Sequence, residues 1–337
     1  MPELPEVHTT VAGIKKEVVG KKIKEVWSDF HVATAHGHRE NLKNKKHYKI
    51  FVESVAGAKI VDAERKGKNI LIHLNNDSTI VVHMKMTGHL MVGKYKLMKA
   101  PPPAPSPKEM GFKRKKLSVE REGAGPGRSY EQWQALEEGP LQDPYNRFIH
   151  FALSLSDGRS LVLSDTRKFA SVYITKTQEL HTHEHLSKIG PDPFNLSQKE
   201  FVALIAKAAS SKKTAPIKSI LMDQSVIAGI GNIYSDEILF EVGVHPESVA
   251  SKVPTDLIKA MYKSMIKILA FSIKHGGDSK SDYRNIYGEK GGFQNFHKVY
   301  GKRGKKCAKK GCSGIISRIV VRGRSSHFCP IHQKIYK

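Results

Sequence analysis

The chain has 337 residues, with 56 Lys plus Arg against 32 Asp plus Glu and a formal net charge of +24. With 39% hydrophobic residues, this composition indicates a folded protein with a polyanionic partner, nucleic acid by default, or a basic protein of the ribosomal kind. There is no run of about 18 apolar residues and no leader with a basic and then an apolar region, which argues against a membrane span or a signal peptide and favours a cytoplasmic location. All three cysteines lie in the C-terminal tail, which favours a metal site over a disulfide framework.

The first eight residues, MPELPEVH, bring an amine and two carboxylates to the start of a predicted helix. Removal of Met1 would leave Pro2 with a free secondary amine. An α-amino group has a reference pKa of about 7.7–8.0, so a useful fraction is neutral and nucleophilic at pH 7. Such an amine forms a cationic iminium with an aldehyde-like sugar carbon, as Schiff-base catalysis requires. Apolar residues at helical spacing predict a helix over 5–19 that holds Pro2, Glu3 and Glu6 together. A proline-rich terminus leading into an amphipathic helix is the alternative interpretation.

Short β-rich runs separated by polar turns predict an antiparallel sandwich or barrel in the N-terminal half. The predicted strands are 22–27, 50–55, 60–65, 70–74, 79–84, 148–155 and 160–163. Between two of them, residues 98–145 include the tract APPPAPSP, a basic run and several glycines. We expect a flexible, exposed insertion there.

Three segments of this half carry side chains suited to nucleic acid. ERKGKNIL places Lys68 just before a strand, where a lysine can meet a phosphate or protonate a leaving base, although a solvated turn is the simpler interpretation. HMKMTGHL contains Met86, which periodicity alone would assign to the core. SDTRKF combines Arg167 and Phe169, either a wedge that offsets the cost of flipping a base or a surface turn with one core phenylalanine.

Gly and Pro near 188–193 mark a linker, after which 198–209, 216–223, 232–241 and 254–274 carry helical periodicity. The segment DQSVIAGIGNIYSDE is the most specific internal pattern. Its glycines allow close approach of the backbone to a phosphate, Asn232 can cap the next helix, whose N-terminus would face an anion, and Lys218 adds a cation. An ordinary helix hairpin is the alternative. The glycine-rich stretch 275–298, with aromatic residues between its glycines, is suited to closing over a flipped base.

The tail has the spacing Cys307-x4-Cys312-x16-Cys329-x2-His332. Three thiolates and one imidazole make a closed, four-coordinate structural zinc site. The stretches 315–321 and 325–328 are predicted to form a hairpin that the metal holds together, because it is too small for a core. His327 is the alternative fourth ligand, and three incidental cysteines are the alternative to a metal site.

Together these segments resemble the formamidopyrimidine-DNA glycosylase family over nearly the whole chain apart from the insertion. MPELPEV is similar to the family's N-terminus, HMKMTG to its H-x-x-M-[ST]-G segment, and DTRKFA to its D-x-R-[RK]-F-[GA] segment. DQSVIAGIGNIYSDE is similar to its helix–two-turns–helix motif. The resemblance implies an α+β multidomain protein: an N-terminal helix plus an antiparallel β-sandwich, then a helix–two-turns–helix domain with a β-hairpin zinc finger.

The resemblance also implies roles for individual residues. Pro2 would be the nucleophile, Glu3 the acid/base and Lys68 the essential lysine, with Glu6 and Glu237 as further acidic residues of the site. The implied DNA-binding residues are Met86, Arg167, Phe169, Lys218, Asn232 and Arg324. The tail departs from the family's four-cysteine ribbon, because its first spacer is four residues rather than two and His332 replaces the last cysteine.

The domains we expect are a catalytic sandwich over 1–188, a DNA-binding helical domain over 189–298 with a lesion-capping loop at 275–298, and a zinc finger over 299–337. The expected activity is that of a monomeric, bifunctional glycosylase and apurinic/apyrimidinic lyase. It would excise oxidised purines from damaged double-stranded DNA, with one structural Zn²⁺. Two alternatives stay open: an oxidised-pyrimidine glycosylase of the endonuclease VIII type, disfavoured by Leu4 where that group usually has glycine, and a non-catalytic zinc-finger DNA-binding protein.

Overall fold

The computed structural model describes residues 1–30, 41–100 and 130–337; the middle of the predicted insertion, with its proline-rich and basic runs, lies outside these residues. The α-helices of the described residues are α1 (Leu4–Glu17), α2 (Lys45–Val55), α3 (Gln198–Ser211), α4 (Ile217–Leu221), α5 (Asn232–Glu241) and α6 (Thr255–Lys274). The strands are β1 (Ile23–Ser28), β2 (Ile60–Lys66), β3 (Asn69–Leu74), β4 (Ser78–His83), β5 (His89–Gly93), β6 (Tyr95–Ala100), β7 (Tyr130–Ala135), β8 (Ile149–Leu155), β9 (Ser160–Ser164), β10 (Ser171–Lys176), β11 (Ser317–Val321) and β12 (Arg324–Phe328).

Two antiparallel sheets of four strands make up the N-terminal half, in the orders β1-β8-β9-β5 and β10-β4-β3-β2. Successive side chains of a strand point to opposite faces. In β4, Ile80 and Val82 therefore enter the main core, whereas Val81 packs in a separate cluster with Leu180 and Leu186. Burial on both faces explains the unbroken apolar run of Ile80, Val81 and Val82. The antiparallel sandwich predicted from the sequence is confirmed.

Helix α1 packs on this sandwich and contacts the helical half as well. Val7, Val11 and Ile14 belong to the sandwich core, as the apolar stripe predicted, but Leu4 belongs to the core of the helical half. The helix begins at Leu4 and ends at Glu17, slightly earlier at both ends than predicted.

The strand predicted at 50–55 is wrong, because this segment lies in helix α2. Its N-terminus is capped by Asn44, whose side chain accepts the Lys46 N–H at 2.9 Å. Phe51 and Val55 are buried while Ile50 is exposed, so the buried positions recur at the helical spacing of four. Tertiary burial therefore overrides the β-propensity of the branched side chains.

The ends of the predicted insertion are more regular than expected. Strands β6 and β7 pair along their length, from Tyr95 opposite Ala135 to Ala100 opposite Tyr130. The Trp133 ring meets the edge of Trp27 at 5.9 Å, which ties this ladder to the sandwich. The described ends of the 98–145 region are thus ordered.

The C-terminal half is helical, and the four helices predicted there are confirmed, each within two residues at its ends. An ion pair between Arg65 and Asp192 joins the linker to the sandwich. Strands β11 and β12 form the predicted hairpin. Among the described residues, none of the helices is both long enough and apolar enough to cross a bilayer.

Candidate active site and metal centre

The N-terminal residues are docked against the turns that precede helix α5. Leu4 donates its backbone N–H to the Gly229 carbonyl at 3.0 Å, and Pro2, Glu3 and Leu4 are all buried. Gly229 has a φ of +89°, which favours glycine, and a Cβ on Gly231 would lie only 2.4 Å from the Glu3 carboxyl carbon. The close approach that the sequence suggested for a phosphate is therefore made by the protein's own N-terminus.

Glu3 and Lys68 are both buried near the start of α5, where Lys68 Nζ donates to the Ile230 carbonyl at 2.8 Å. The Glu3 carboxylate accepts the Ile233 N–H at 2.9 Å and so lies at the positive end of the helix dipole. Burial raises the pKa of Glu3 above its ordinary value, although Lys68 and backbone N–H groups oppose this shift. Burial also lowers the pKa of Lys68, against the attraction of Glu3. A carboxyl and an amine shifted toward neutrality are suited to exchanging protons with a substrate.

Glu6 connects the N-terminus to the helical half. Its carboxylate accepts the Glu3 N–H at 2.7 Å, the Asp278 N–H at 2.7 Å and the Tyr234 hydroxyl at 2.6 Å. Burial, and then the charge of Glu3, raise the pKa of Glu6 to about 7. Because three donors point at it, this arrangement fits the ionised carboxylate. Both oxygens of Glu6 are thus engaged in hydrogen bonds. Glu6 is therefore suited to fixing the position of the Glu3 backbone.

Met86, Arg167 and Phe169 meet on one exposed surface. An Arg167 guanidinium N–H is 3.6 Å from the Met86 sulfur, and the guanidinium carbon is 4.4 Å from the centre of the Phe169 ring. Met86 and Phe169 are 38% and 47% exposed, so neither is a core residue. The buried Asp165 carboxylate accepts the Thr87 hydroxyl and the Arg167 N–H and holds the two turns together. An exposed apolar and cationic cluster of this kind is suited to entering a base stack.

Lys218 and Arg324 lie on opposite sides of a close contact between the helical half and the hairpin. Lys218 is 1% exposed, and its Nζ donates to Asp236 at 2.6 Å and to the Ser325 carbonyl at 2.9 Å. Arg324, at the start of β12, is exposed, and its charge acts on both Lys68 and Lys218. The charge of Glu3 acts on both Lys68 and Lys218, but Lys218 is already paired with Asp236.

Glu237 lies in helix α5 with its carboxylate turned to the segment that leads into the hairpin. It accepts the backbone N–H groups of Lys298, Val299 and Tyr300 at 2.8 to 3.0 Å. Both carboxylate oxygens are thereby used, so Glu237 is suited to a structural role. Asn232 is the first residue of α5 and not its cap, because Gly231 occupies the cap position, so the cap expected from the sequence is wrong. The Asn232 Oδ1 atom is buried without a hydrogen-bond partner among the described residues.

The structure thus brings Pro2, Glu3, Glu6 and Lys68 together, whereas Glu237 is engaged elsewhere. Sequence reasoning missed three residues that position others. Tyr234 donates to Glu6, Asp165 joins Thr87 to Arg167, and Asp236 binds the hairpin at His327. Tyr234 and Glu6 are 228 residues apart, so no local pattern links them. Asp236 lies inside the helix–two-turns–helix segment, where a carboxylate one helical turn beyond Asn232 was the available signal.

The three cysteine sulfurs form a cluster in which all ligand atoms lie within 4.8 Å of one another. Each sulfur also accepts a backbone N–H, from Lys309, Gly314 and His332 respectively, at 3.3 to 3.4 Å. Such contacts stabilise thiolates, so the donor set fits a metal ion.

His332 lies beside this cluster but outside its 4.8 Å limit. Its Nε2 is 2.8 Å from the Phe240 carbonyl, to which an Nε2–H would donate. The Nδ1 atom of His327 instead faces Asp236 at 3.3 Å. The identity of the fourth ligand stays a prediction.

Comparison with known proteins assigns both halves of the chain. A family profile described as the formamidopyrimidine-DNA glycosylase N-terminal domain matches residues 1–172, and one for the H2TH domain of the same enzyme matches residues 189–284. The formamidopyrimidine-DNA glycosylase of Bacillus subtilis is 32% identical over 333 residues, covering 98% of each chain.

Solved structures of Lactococcus lactis Fpg have the same fold. A complex with DNA containing an abasic site has a TM-score of 0.73 at 27% identity and covers 98% of this chain and 99% of that one. A mutant of the same Lactococcus lactis protein bound to DNA containing Fapy-dG has a TM-score of 0.72 at 26% identity, covering 99% and 100%. The chain therefore belongs to the formamidopyrimidine-DNA glycosylase family of DNA-repair enzymes.

Proposed function

We propose that this protein is a bifunctional DNA glycosylase and apurinic/apyrimidinic lyase that uses the Pro2 amine as its nucleophile. The observation that carries the proposal is the burial of Pro2 and Glu3 against Lys68 and the first turn of α5. A binding protein has no need of a buried N-terminal imine-forming group beside a carboxyl and a lysine with shifted pKa values.

In the proposed reaction the Pro2 nitrogen attacks C1′ of the flipped nucleotide, and the bond from C1′ to the base breaks. Lys68 gives a proton to the departing base. Glu3, whose pKa burial raises, holds and returns a proton at the sugar while the ring opens to the Schiff base. Loss of a proton from C2′ then expels the 3′-phosphate, and a second elimination expels the 5′-phosphate. Water releases the sugar fragment and restores the amine.

The proposed substrate is damaged double-stranded DNA bound by a monomer, with an oxidised purine as the lesion. The exposed cluster of Met86, Arg167 and Phe169 would fill the space that the flipped base leaves. Asn232, Lys218 and Arg324 would contact phosphates, Arg324 most directly because it is exposed. Support for the purine comes from the relative whose structure holds Fapy-dG.

The cysteine cluster is proposed to hold one structural Zn²⁺ through Cys307, Cys312, Cys329 and Nδ1 of His332. An Nε2–H donating to a backbone carbonyl leaves Nδ1 as the metal-binding nitrogen, an arrangement common in zinc proteins. The metal would supply folding free energy to the hairpin and take no part in the reaction.

The decisive experiment is borohydride trapping on a duplex with one oxidised purine, after intact-mass measurement has established that Met1 is absent. We expect a covalent protein–DNA adduct that is lost in Pro2→Gly and kept in Pro254→Gly, a matched change at the exposed start of α6. An adduct that survives in Pro2→Gly would refute the nucleophile. No adduct from either chain, with DNA binding intact, would favour the non-catalytic alternative, and a preference for an oxidised pyrimidine would favour the endonuclease VIII type.

A further inference from the structure

The stretch 275–298 has a closed neck made by its two ends. Gly292 donates to the His275 carbonyl at 2.7 Å and Phe293 donates to the Gly277 carbonyl at 3.1 Å. A Cβ on Gly277 would lie 2.9 Å from Glu6 Oε1, so the neck also lies directly against Glu6. The position of this neck is therefore coupled to the carboxylate that holds Glu3.

Asp278 and His297 close the same neck from inside the protein. The His297 Nε2 atom is 2.5 Å from Asp278 Oδ2, and the two side chains are 0% and 2% exposed. Neither Asp278 Oδ2 nor either ring nitrogen of His297 has a hydrogen-bond partner among the described residues. Its ring packs at right angles to Tyr300, at 5.5 Å, and edge-on to Phe293, at 5.3 Å. The Asp278 carboxylate is therefore the close polar contact of the imidazole, while the other oxygen of Asp278 accepts the Lys280 N–H at 3.0 Å.

The backbone of Asp278 connects this pair to the reaction centre. Its N–H donates to Glu6 Oε1 at 2.7 Å, while Glu6 Oε2 accepts the Glu3 N–H at 2.7 Å. A displacement of Asp278 would therefore reach Glu3 through two hydrogen bonds. None of the steps assigned to Pro2, Glu3 and Lys68 uses Asp278 or His297.

We propose that Asp278 and His297 are positioning residues of the reaction. The His297 imidazole offsets the Asp278 carboxylate, so that the Asp278 N–H holds an ionised Glu6 under the Glu3 backbone. This inference rests on the proposed Schiff-base function, because it assigns a second layer of residues to that centre. It predicts a dependence on pH that a purely structural pair would not produce.

The direction of that dependence follows from the charges around Glu6. The Glu3 carboxylate is the charge that raises the pKa of Glu6, and Lys68 is the cation that acts on it. The Tyr234 hydroxyl and the Asp278 N–H donate to the Glu6 carboxylate, whereas the Tyr283 hydroxyl donates to the Glu6 backbone carbonyl. Because the Asp278 N–H is bound to Glu6 at 2.7 Å, the carboxylate of Asp278 belongs to a residue in direct contact with Glu6. Without His297, the Asp278 carboxylate becomes an uncompensated like charge and favours protonation of Glu6, whose pKa is already raised to about 7. A protonated Glu6 no longer offers acceptors to all three donors.

The test measures the rate of borohydride trapping on a saturating abasic-site duplex from pH 5.5 to 9. Four chains are compared: the unaltered protein, His297→Gln, Asp278→Asn and the double variant. Thermal unfolding and affinity for an uncleavable tetrahydrofuran duplex are measured alongside. We expect His297→Gln to move the acid limb of the profile to higher pH by about one unit. The trapping rate should then be roughly tenfold lower at pH 6 and unchanged at pH 9.

The same substitution in the Asp278→Asn background should produce no such shift, because no carboxylate is left to offset. A profile unchanged in His297→Gln, or shifted equally in both backgrounds, overturns the inference, and so does a loss of rate uniform across pH. If His297→Gln does not fold, the pH profile of Asp278→Asn provides the test. The acid limb of that profile should move to lower pH, and an unchanged acid limb overturns the inference. An unaltered protein that gives no adduct overturns the proposed function and this inference with it, whereas a wild-type adduct with an unmoved limb overturns this inference alone.

Discussion

Replacing Lys218 by methionine should destabilise the protein far more than a change at a surface lysine. Lys218 Nζ is 2.6 Å from Asp236, and the two side chains are 1% and 0% exposed. Removing the ammonium leaves a buried carboxylate whose remaining close partners are the Ser326 hydroxyl at 2.8 Å, the His327 N–H at 2.8 Å and the His327 Nδ1 atom at 3.3 Å. Breaking a buried pair by removing one partner costs about 3–5 kcal/mol, and the full exclusion of solvent leaves no reason to discount that figure.

Urea unfolding of the full chain, followed by far-ultraviolet circular dichroism, measures this loss. The matched control is Lys212→Met, because the ion pair of Lys212 with Asp223 is 52% and 23% exposed and should contribute less than about 1 kcal/mol. The double variant Lys218→Met/Asp236→Asn should recover most of the lost stability, since the neutral amide oxygen can accept the His327 N–H while the amide NH2 donates to the Ser326 hydroxyl, which can also accept. A loss in Lys218→Met as small as in Lys212→Met, or no recovery in the double variant, would refute the reasoning.

Three further changes test other parts of the site. Gly231→Ala should lower the trapping rate at least tenfold with DNA affinity kept, because its Cβ would lie 2.4 Å from the Glu3 carboxyl carbon; a normal rate would contradict that contact. Arg324→Ala, tested against Arg303→Ala as a second tail arginine, should reduce the slope of log affinity against log salt by about 0.9 for any duplex, and an unchanged slope would contradict its phosphate contact. Chelation should abolish DNA affinity and release thiols at Cys307, Cys312 and Cys329 while the strands of the sandwich stay protected from hydrogen exchange; exchange throughout the sandwich would show that the finger supports the whole fold.

Local patterns predicted those parts of the protein whose burial follows a regular period. The helices α3 to α6 have apolar residues at helical spacing and a core on one side, so their limits were predictable. The prediction of a strand at 50–55 failed because the branched residues of this segment suit a strand. In the structure the segment is helical, and only Phe51 and Val55 of α2 are buried in the core. Cysteine spacing likewise predicted a cluster, since ligands at both ends of a hairpin must converge.

Contacts between distant segments could not be predicted in this way. Glu237 was expected among the acidic residues of the reaction centre, yet its carboxylate accepts three N–H groups from residues 298–300. Lys218 was expected to bind DNA, but packing of the hairpin against α5 buries it and pairs it with Asp236. The Asp278–His297 contact joins residues that no local period relates. Such pairings arise only when the two halves fold against each other.

Helix α1 inserts Leu4 into the core of the helical half while Val7 and Val11 stay in the sandwich. Its first turn therefore lies at the boundary between the two halves, beside Pro2, the proposed nucleophile. If the gene were divided near residue 188, neither fragment would contain a complete active site. Mixing the two fragments would restore activity only if they reassociated with Leu4 in the core of the helical half. Weakening of the contact between the two halves, by heat or by substitution at Leu4, should therefore abolish the proposed activity at a lower temperature than that at which either half unfolds.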